Sequence, residues 1–99
     1  MKKVQLDIDK LDLAASRLRA IAHPLRIAII DLLTRTKSMT VTEIYEKLEI
    51  EQAAASHHLN ILKTKGLLES KREGKLIHYS LKYDQLVQVI DCINRCSVK

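Results

Sequence analysis

The 99-residue chain has no tryptophan and no phenylalanine, and its aromatic residues are three tyrosines, Tyr45, Tyr79 and Tyr83. Its core must therefore be assembled from Leu, Ile, Val and Ala, which suits packed helices. With so little bulky apolar mass, a dimer interface would help to complete that core. Only two glycines are present. They leave no phosphate-cradling glycine loop, and no nucleophile motif accompanies the four histidines and scattered carboxylates, so an enzyme is the least expected class. No apolar stretch approaches the roughly 20 residues that span a bilayer. The N-terminus, MKKVQLDIDKLD, is interrupted by acids before any apolar run, unlike a signal peptide. The expectation is a cytoplasmic protein with no membrane partner, whose two cysteines, Cys92 and Cys96, are reduced. A block of basic residues is also missing. The net charge of +5 is spread along the chain, so no basic block marks a disordered nucleic-acid tail, although the balance favours a polyanionic partner. The length suits one domain, residues 1–99.

What is there is organised around residues 51–65, EQAAASHHLNILKTK. At helical spacing Ala55, Leu59 and Leu62 form an apolar stripe. A second stripe is small and polar: Gln52, Ala53, Ser56, His57, Asn60, Lys63 and Thr64, with Lys65 beyond. Surface helices usually cover their outer face with long charged side chains. Short donors, acceptors and bare methyls instead suit a helix whose backbone must come close to the base edges of a major groove. The plainer reading is an amphipathic helix with an Ala-rich start, whose exposed Ser and His do nothing.

The flanking sequence discriminates between these readings. Residues 5–21 carry an apolar pattern at Leu11, Ala14, Ala15, Leu18 and Ile21, which predicts a first helix. Pro24 breaks it and starts a second helix over residues 24–35, with Leu25, Ile29, Leu32 and Leu33 inward. His23 is expected to cap that helix or bond within the turn. Met39, Thr40 and Val41 allow a very short extended piece. Thr40-Val41-Thr42-Glu43 matches a capping box and opens a short third helix with Ile44, Tyr45 and Leu48 on its apolar side. Two helices joined tightly, the second with a small polar face, form the helix-turn-helix pattern. The usual turn glycine is absent, with Glu49 near its place. Gly66 ends the fourth helix. Residues 67–72 and 76–81 read as two strands around the Glu73-Gly74 turn. The hairpin tip, Lys71-Arg72-Glu73-Gly74-Lys75, is basic, as a wing gripping phosphates requires; a solvated hairpin tip is the plainer alternative. A last helix over residues 83–96 carries Leu86, Val87, Val89, Ile90 and Ile93 over more than half its circumference. That surplus predicts helix-to-helix dimerisation, with the first helix contributing. The fold class is mainly α with a small β-hairpin, in the order α-α-α-α-β-β-α.

The chain resembles the ArsR/SmtB family of small winged-helix repressors. The matching residues are Leu18-Arg19-Ala20-Ile21-Ala22-His23-Pro24-Leu25-Arg26, Ile29-Ile30-Asp31-Leu32-Leu33, Thr40-Val41-Thr42-Glu43-Ile44, Ala55-Ser56-His57-His58-Leu59, Gly66-Leu67-Leu68 and Arg72-Glu73-Gly74-Lys75. The resemblance implies a homodimeric winged helix-turn-helix regulator, usually a repressor, released from a palindromic operator by a metal ion or another signal. By position it implies DNA contacts from Gln52, Ala54, Ser56 and His57 on the recognition helix, and from Arg72 and Lys75 on the wing; the small polar stripe adds Ala53, Asn60 and Lys63 as candidate contacts. Double-stranded DNA and a second copy of the chain are the implied partners. His58 is expected against the core or the partner helix of the motif. Leu11, Leu18, Leu86, Val89, Ile90 and Ile93 are expected at the dimer interface. Glu51 departs from the family's usual helix cap, and the three alanines reduce polar base contacts. A protein-interaction module that has lost DNA reading is therefore the competing class.

The family's metal sites are not supported. The thiol pair of the third helix is replaced by Glu43-Ile44-Tyr45-Glu46-Lys47. The C-terminal site keeps Asp84 without the later histidines. No cofactor or metal is expected, and the inducer is unassigned. Cys92 and Cys96, one helical turn apart, remain as candidates for a redox or metalloid sensor, against the plainer reading of small apolar residues at an interface.

Overall fold

The structure, a computed structural model, describes residues 8–96. The start of the first helical pattern, residues 5–7, lies outside the described residues. The elements are α1 (Ile8–Ile21), α2 (Pro24–Thr36), β1 (Met39–Thr40), α3 (Val41–Leu48), α4 (Gln52–Thr64), β2 (Leu68–Glu73), β3 (Leu76–Leu81) and α5 (Leu86–Cys96). The strands form an antiparallel sheet in the order β1-β3-β2. This is a winged helix-turn-helix.

Local chemistry sets most boundaries. His23 is extended at φ −156°, and its Nδ1 accepts a hydrogen bond from the Leu25 backbone N–H at 3.1 Å, capping α2 as expected. Thr40 and Glu43 complete the capping box: the Thr40 hydroxyl accepts from the Glu43 N–H, and the Thr40 N–H donates to Glu43 Oε1 at 2.8 Å. Thr40 also pairs with His78 of β3. One residue thus ties the sheet to the start of α3. Between α3 and α4, Glu49 stands where a glycine is usual and takes the left-handed conformation, φ 56° and ψ 46°.

At the end of α4, Gly66 has φ 78°, its N–H reaches the Lys63 carbonyl, and the Leu67 N–H reaches the Leu62 carbonyl. That is a Schellman ending. It occupies Leu67, so β2 begins one residue later than the pattern suggests. Gly74 and Lys75 form a two-residue loop with positive φ only at Gly74, the pattern of a type II′ turn. At α5, Leu86, Val87 and Gln88 donate to carbonyls three residues back, at Tyr83, Asp84 and Gln85. The segment expected to be helical from residue 83 is this tight lead-in.

The core centres on α2. Ile29, Ile30 and Leu33 of α2 pack with Ile44 of α3, Leu59 and Leu62 of α4 and Leu68 of β2, all essentially without solvent exposure. Leu86 and Ile90 of α5 close it. Burying one such aliphatic side chain is worth about 1.5–3 kcal/mol, which holds α4 firmly on its inner side.

Candidate nucleic-acid interface

α4 has two unlike sides. Ala55, Leu59 and Leu62 are fully buried, as their stripe predicts, and His58 is buried beside them. Gln52, Ala53, Ser56, His57, Asn60, Lys63 and Thr64 are exposed. Ala54 is half-buried and turns partly inward. The outer side therefore offers an amide at Gln52, a hydroxyl and an imidazole side by side at Ser56 and His57 one turn on, and a second amide at Asn60 a turn later, with a lysine in the last turn. Such a side fits closely against a groove that displays donors, acceptors and thymine methyls. At the N-terminus, Glu51 occupies the cap position without a side-chain cap bond.

The hairpin leaves α4 through Gly66. Lys71, Arg72 and Lys75 are exposed at its tip. The Arg72 Nε donates to the Gly74 carbonyl at 3.3 Å, so its guanidinium stays beside the turn. Behind the tip, His78 Nε2 lies 3.5 Å from Glu73 Oε1. Lys71, Arg72 and Lys75 are left as outward cations suited to phosphate oxygens.

One group of side chains was not picked out by the sequence pattern. Arg26, on α2, donates from Nε to His58 Nδ1 at 3.1 Å and from Nη1 to the Ala20 carbonyl of α1 at 3.1 Å. The His23 ring stands 4.5 Å from the His58 ring, and the His57 ring 5.4 Å from it. Burial, then the neighbouring His23, Arg26 and His57, hold the His58 pKa below its ordinary value of 6.5. The available signal was a histidine on the buried stripe of α4, since a buried polar group needs a partner. Its partner is 32 residues away, beyond the reach of helical spacing.

The residues expected at a dimer interface fall into two groups. Leu11 and Leu18 of α1 are 40% and 62% exposed. Val89 and Ile93 are half-buried and line an open groove of about 750 Å³ between α1, α2 and α5, with Leu18 and Ile27. Leu86 and Ile90 are a correction: they are 6% and 4% exposed in a single chain because they pack into its own core. Cys92 and Cys96 are both free and exposed on α5. Among the described residues no three His, Cys, Asp or Glu side chains converge as a metal site would require. No helix among them is long and apolar enough to cross a membrane.

Known proteins share this arrangement. The profile for "Bacterial regulatory protein, arsR family" matches residues 23–70. An uncharacterized HTH-type transcriptional regulator of Methanocaldococcus jannaschii is 33% identical over 87 residues, covering 88% of this chain and 98% of that one. The crystal structure of the transcriptional repressor PagR of Bacillus anthracis superposes with a TM-score of 0.81 at 31% identity, covering 89% of this chain and all of the other. The homodimeric winged helix-turn-helix DNA-binding domain of Mb0332 from Mycobacterium bovis gives a TM-score of 0.82 at 25% identity, over 98% of this chain and 89% of that one.

Proposed function

Since the chain belongs to the arsR family of bacterial regulatory proteins, we propose that it is a transcriptional repressor that grips a palindromic operator as a homodimer. It is a transcriptional regulator, not an enzyme. The observation that carries the proposal is the exposed outer side of α4, short and polar from Gln52 to Asn60, leading into a basic hairpin tip.

In this reading Ser56 and His57 make most of the direct base contacts, with Gln52 and Asn60 beside them. Ala53 and Ala54 let the backbone approach and can touch thymine methyls. Lys63, Arg72 and Lys75 neutralise phosphates and fix the register. The exposed apolar residues of α1 and the groove against α5 pair with a second copy; the similar Mb0332 domain is homodimeric. Two α4 helices about one duplex turn apart would then read two half-sites. An operator-binding role fits a protein of the cytoplasm.

Selection of duplexes from a random pool by purified protein tests the reading. Enrichment of an inverted repeat with half-sites about one turn apart is expected. Recovery of no duplex above the random pool would favour the interaction-module alternative, which Glu51, an acid without a cap bond at the head of α4, supports. Repeating the binding with zinc, with arsenite and without reductant tests Cys92 and Cys96 as a sensor.

A further inference from the structure

We propose that Arg26 and His58 are positioning residues for DNA reading: their hydrogen bond seats α4, and it holds only while the His58 imidazole is neutral, so acid loosens the grip on DNA. The inference rests on the DNA-binding reading above.

Three elements meet at this bond. Arg26 Nη1 takes the Ala20 carbonyl, one of the last-turn carbonyls of α1 that lack an intrahelical donor. His23 caps α2 through Nδ1 and lays its ring against His58. Arg26 Nε supplies the proton to His58 Nδ1 at 3.1 Å. Arginine does not give up its proton in proteins, so His58 must accept at Nδ1 and carry its own proton on Nε2. His58 directly follows the outward-facing Ser56 and His57. A small rotation of α4 about this seat therefore moves both base-reading side chains, and such contacts tolerate only about 0.5 Å or 10–20°.

Protonation reverses the chemistry. Nδ1 becomes a donor aimed at another donor, and a positive charge forms beside a guanidinium. The groups facing His58 are His23 from the α1–α2 turn, Arg26 from α2 and His57 on its own helix. None is a carboxylate that would stabilise an imidazolium. Because the neutral form belongs to the folded, seated state, the contribution is complete above the ordinary histidine value of 6.5 and is lost as the pH falls through the lower folded value.

The test measures affinity for the selection-enriched duplex from pH 8 to pH 5.5, with melting curves at each pH. His58→Gln keeps an acceptor for Arg26 and does not titrate. It should bind within about threefold of the parent at pH 7.5, while the parent loses severalfold more affinity than the variant as the pH falls through the lowered His58 value. His57 is present in both proteins, so its contribution is common to both sides of the comparison. His58→Leu, with no acceptor, should bind weakly at every pH. Parallel pH profiles for the parent and His58→Gln overturn the proposal, as does full-strength binding by His58→Leu. If His58→Gln does not fold, imidazole ¹⁵N shifts of the parent at pH 7.5 decide: an unprotonated Nδ1 on His58 supports the proposal, and a protonated one overturns it. Absence of duplex binding by the parent at pH 7.5 overturns the DNA-binding reading and this inference with it.

Discussion

The outer side of α4 and the outer sides of α1 and α5 are both exposed in a single chain, and water treats them oppositely. On α4 the exposed groups are Gln52, Ser56, His57 and Asn60, which hydrogen-bond to solvent as readily as to a base edge. On α1, Ile8, Leu11, Leu13 and Leu18 are exposed at 74%, 40%, 49% and 62%, and the groove beside α5 is lined by further aliphatic side chains. Leaving that much apolar surface wet is unfavourable by about 25 cal/mol per Å². On the proposed reading, the α4 side, the reading end, is stable on its own, and the α1 and α5 side, the pairing end, completes its apolar packing only against a second chain.

The largest expected effect follows from breaking the pairing end. Leu18→Glu with Val89→Glu places unpaired charges where the partner should pack, at positions that a single chain already leaves open. Sedimentation should show monomer, and operator affinity should fall by on the order of a hundredfold or more. Circular dichroism should remain helical, because neither side chain belongs to the buried core. A protein that stays dimeric would move the interface elsewhere. At the reading end, Arg72→Ala should weaken binding to every duplex alike and reduce the slope of log affinity against log salt by about one, measured by a salt titration. A loss confined to one sequence would give Arg72 a base-reading role instead.

Two smaller effects concern the frame that holds α4. Thr40→Ala removes the α3 cap hydroxyl and should cost about 1 kcal/mol in a urea titration at pH 7. The Glu43 pKa is held below its ordinary value of 4.5, first by the Thr40 backbone N–H and then by its hydroxyl. The capping box therefore stabilises above that value and fades as the pH falls through the folded one. The gap between the parent and Thr40→Ala should accordingly narrow in acid. Glu49→Gly should do the reverse of damage. A left-handed L-residue costs roughly 1–2 kcal/mol, part of which glycine returns as unfolded-state entropy. A rise in Tm of a few degrees is expected.

The two ends were not equally legible in the sequence. Reading-end boundaries depend on short-range chemistry: Pro24 after His23, the Thr40–Glu43 box, Gly66 and Gly74 each act within a few residues. The pattern of α4 also separates its sides correctly, because Ala55, Leu59 and Leu62 recur at one helical period. The pairing end was read less well. Periodicity shows that α5 is apolar, but not whether its own chain or another covers each side chain, which is why Leu86 and Ile90, expected at the dimer interface, lie instead in the chain's own core. The Arg26–His58 bond was hidden for a related reason. It joins helices by tertiary packing, and no local rule links positions so far apart.

Central to the account is contact between the outer side of α4 and bases. The most direct measurement is a double-mutant cycle on the selected duplex, pairing Ser56→Ala or His57→Ala with single base-pair changes across each half-site. A coupling of about 1–3 kcal/mol at one or two adjacent positions is expected, with the protein variant losing its preference there alone. Additive effects at every position would mean that α4 does not read the sequence, and would contradict the account.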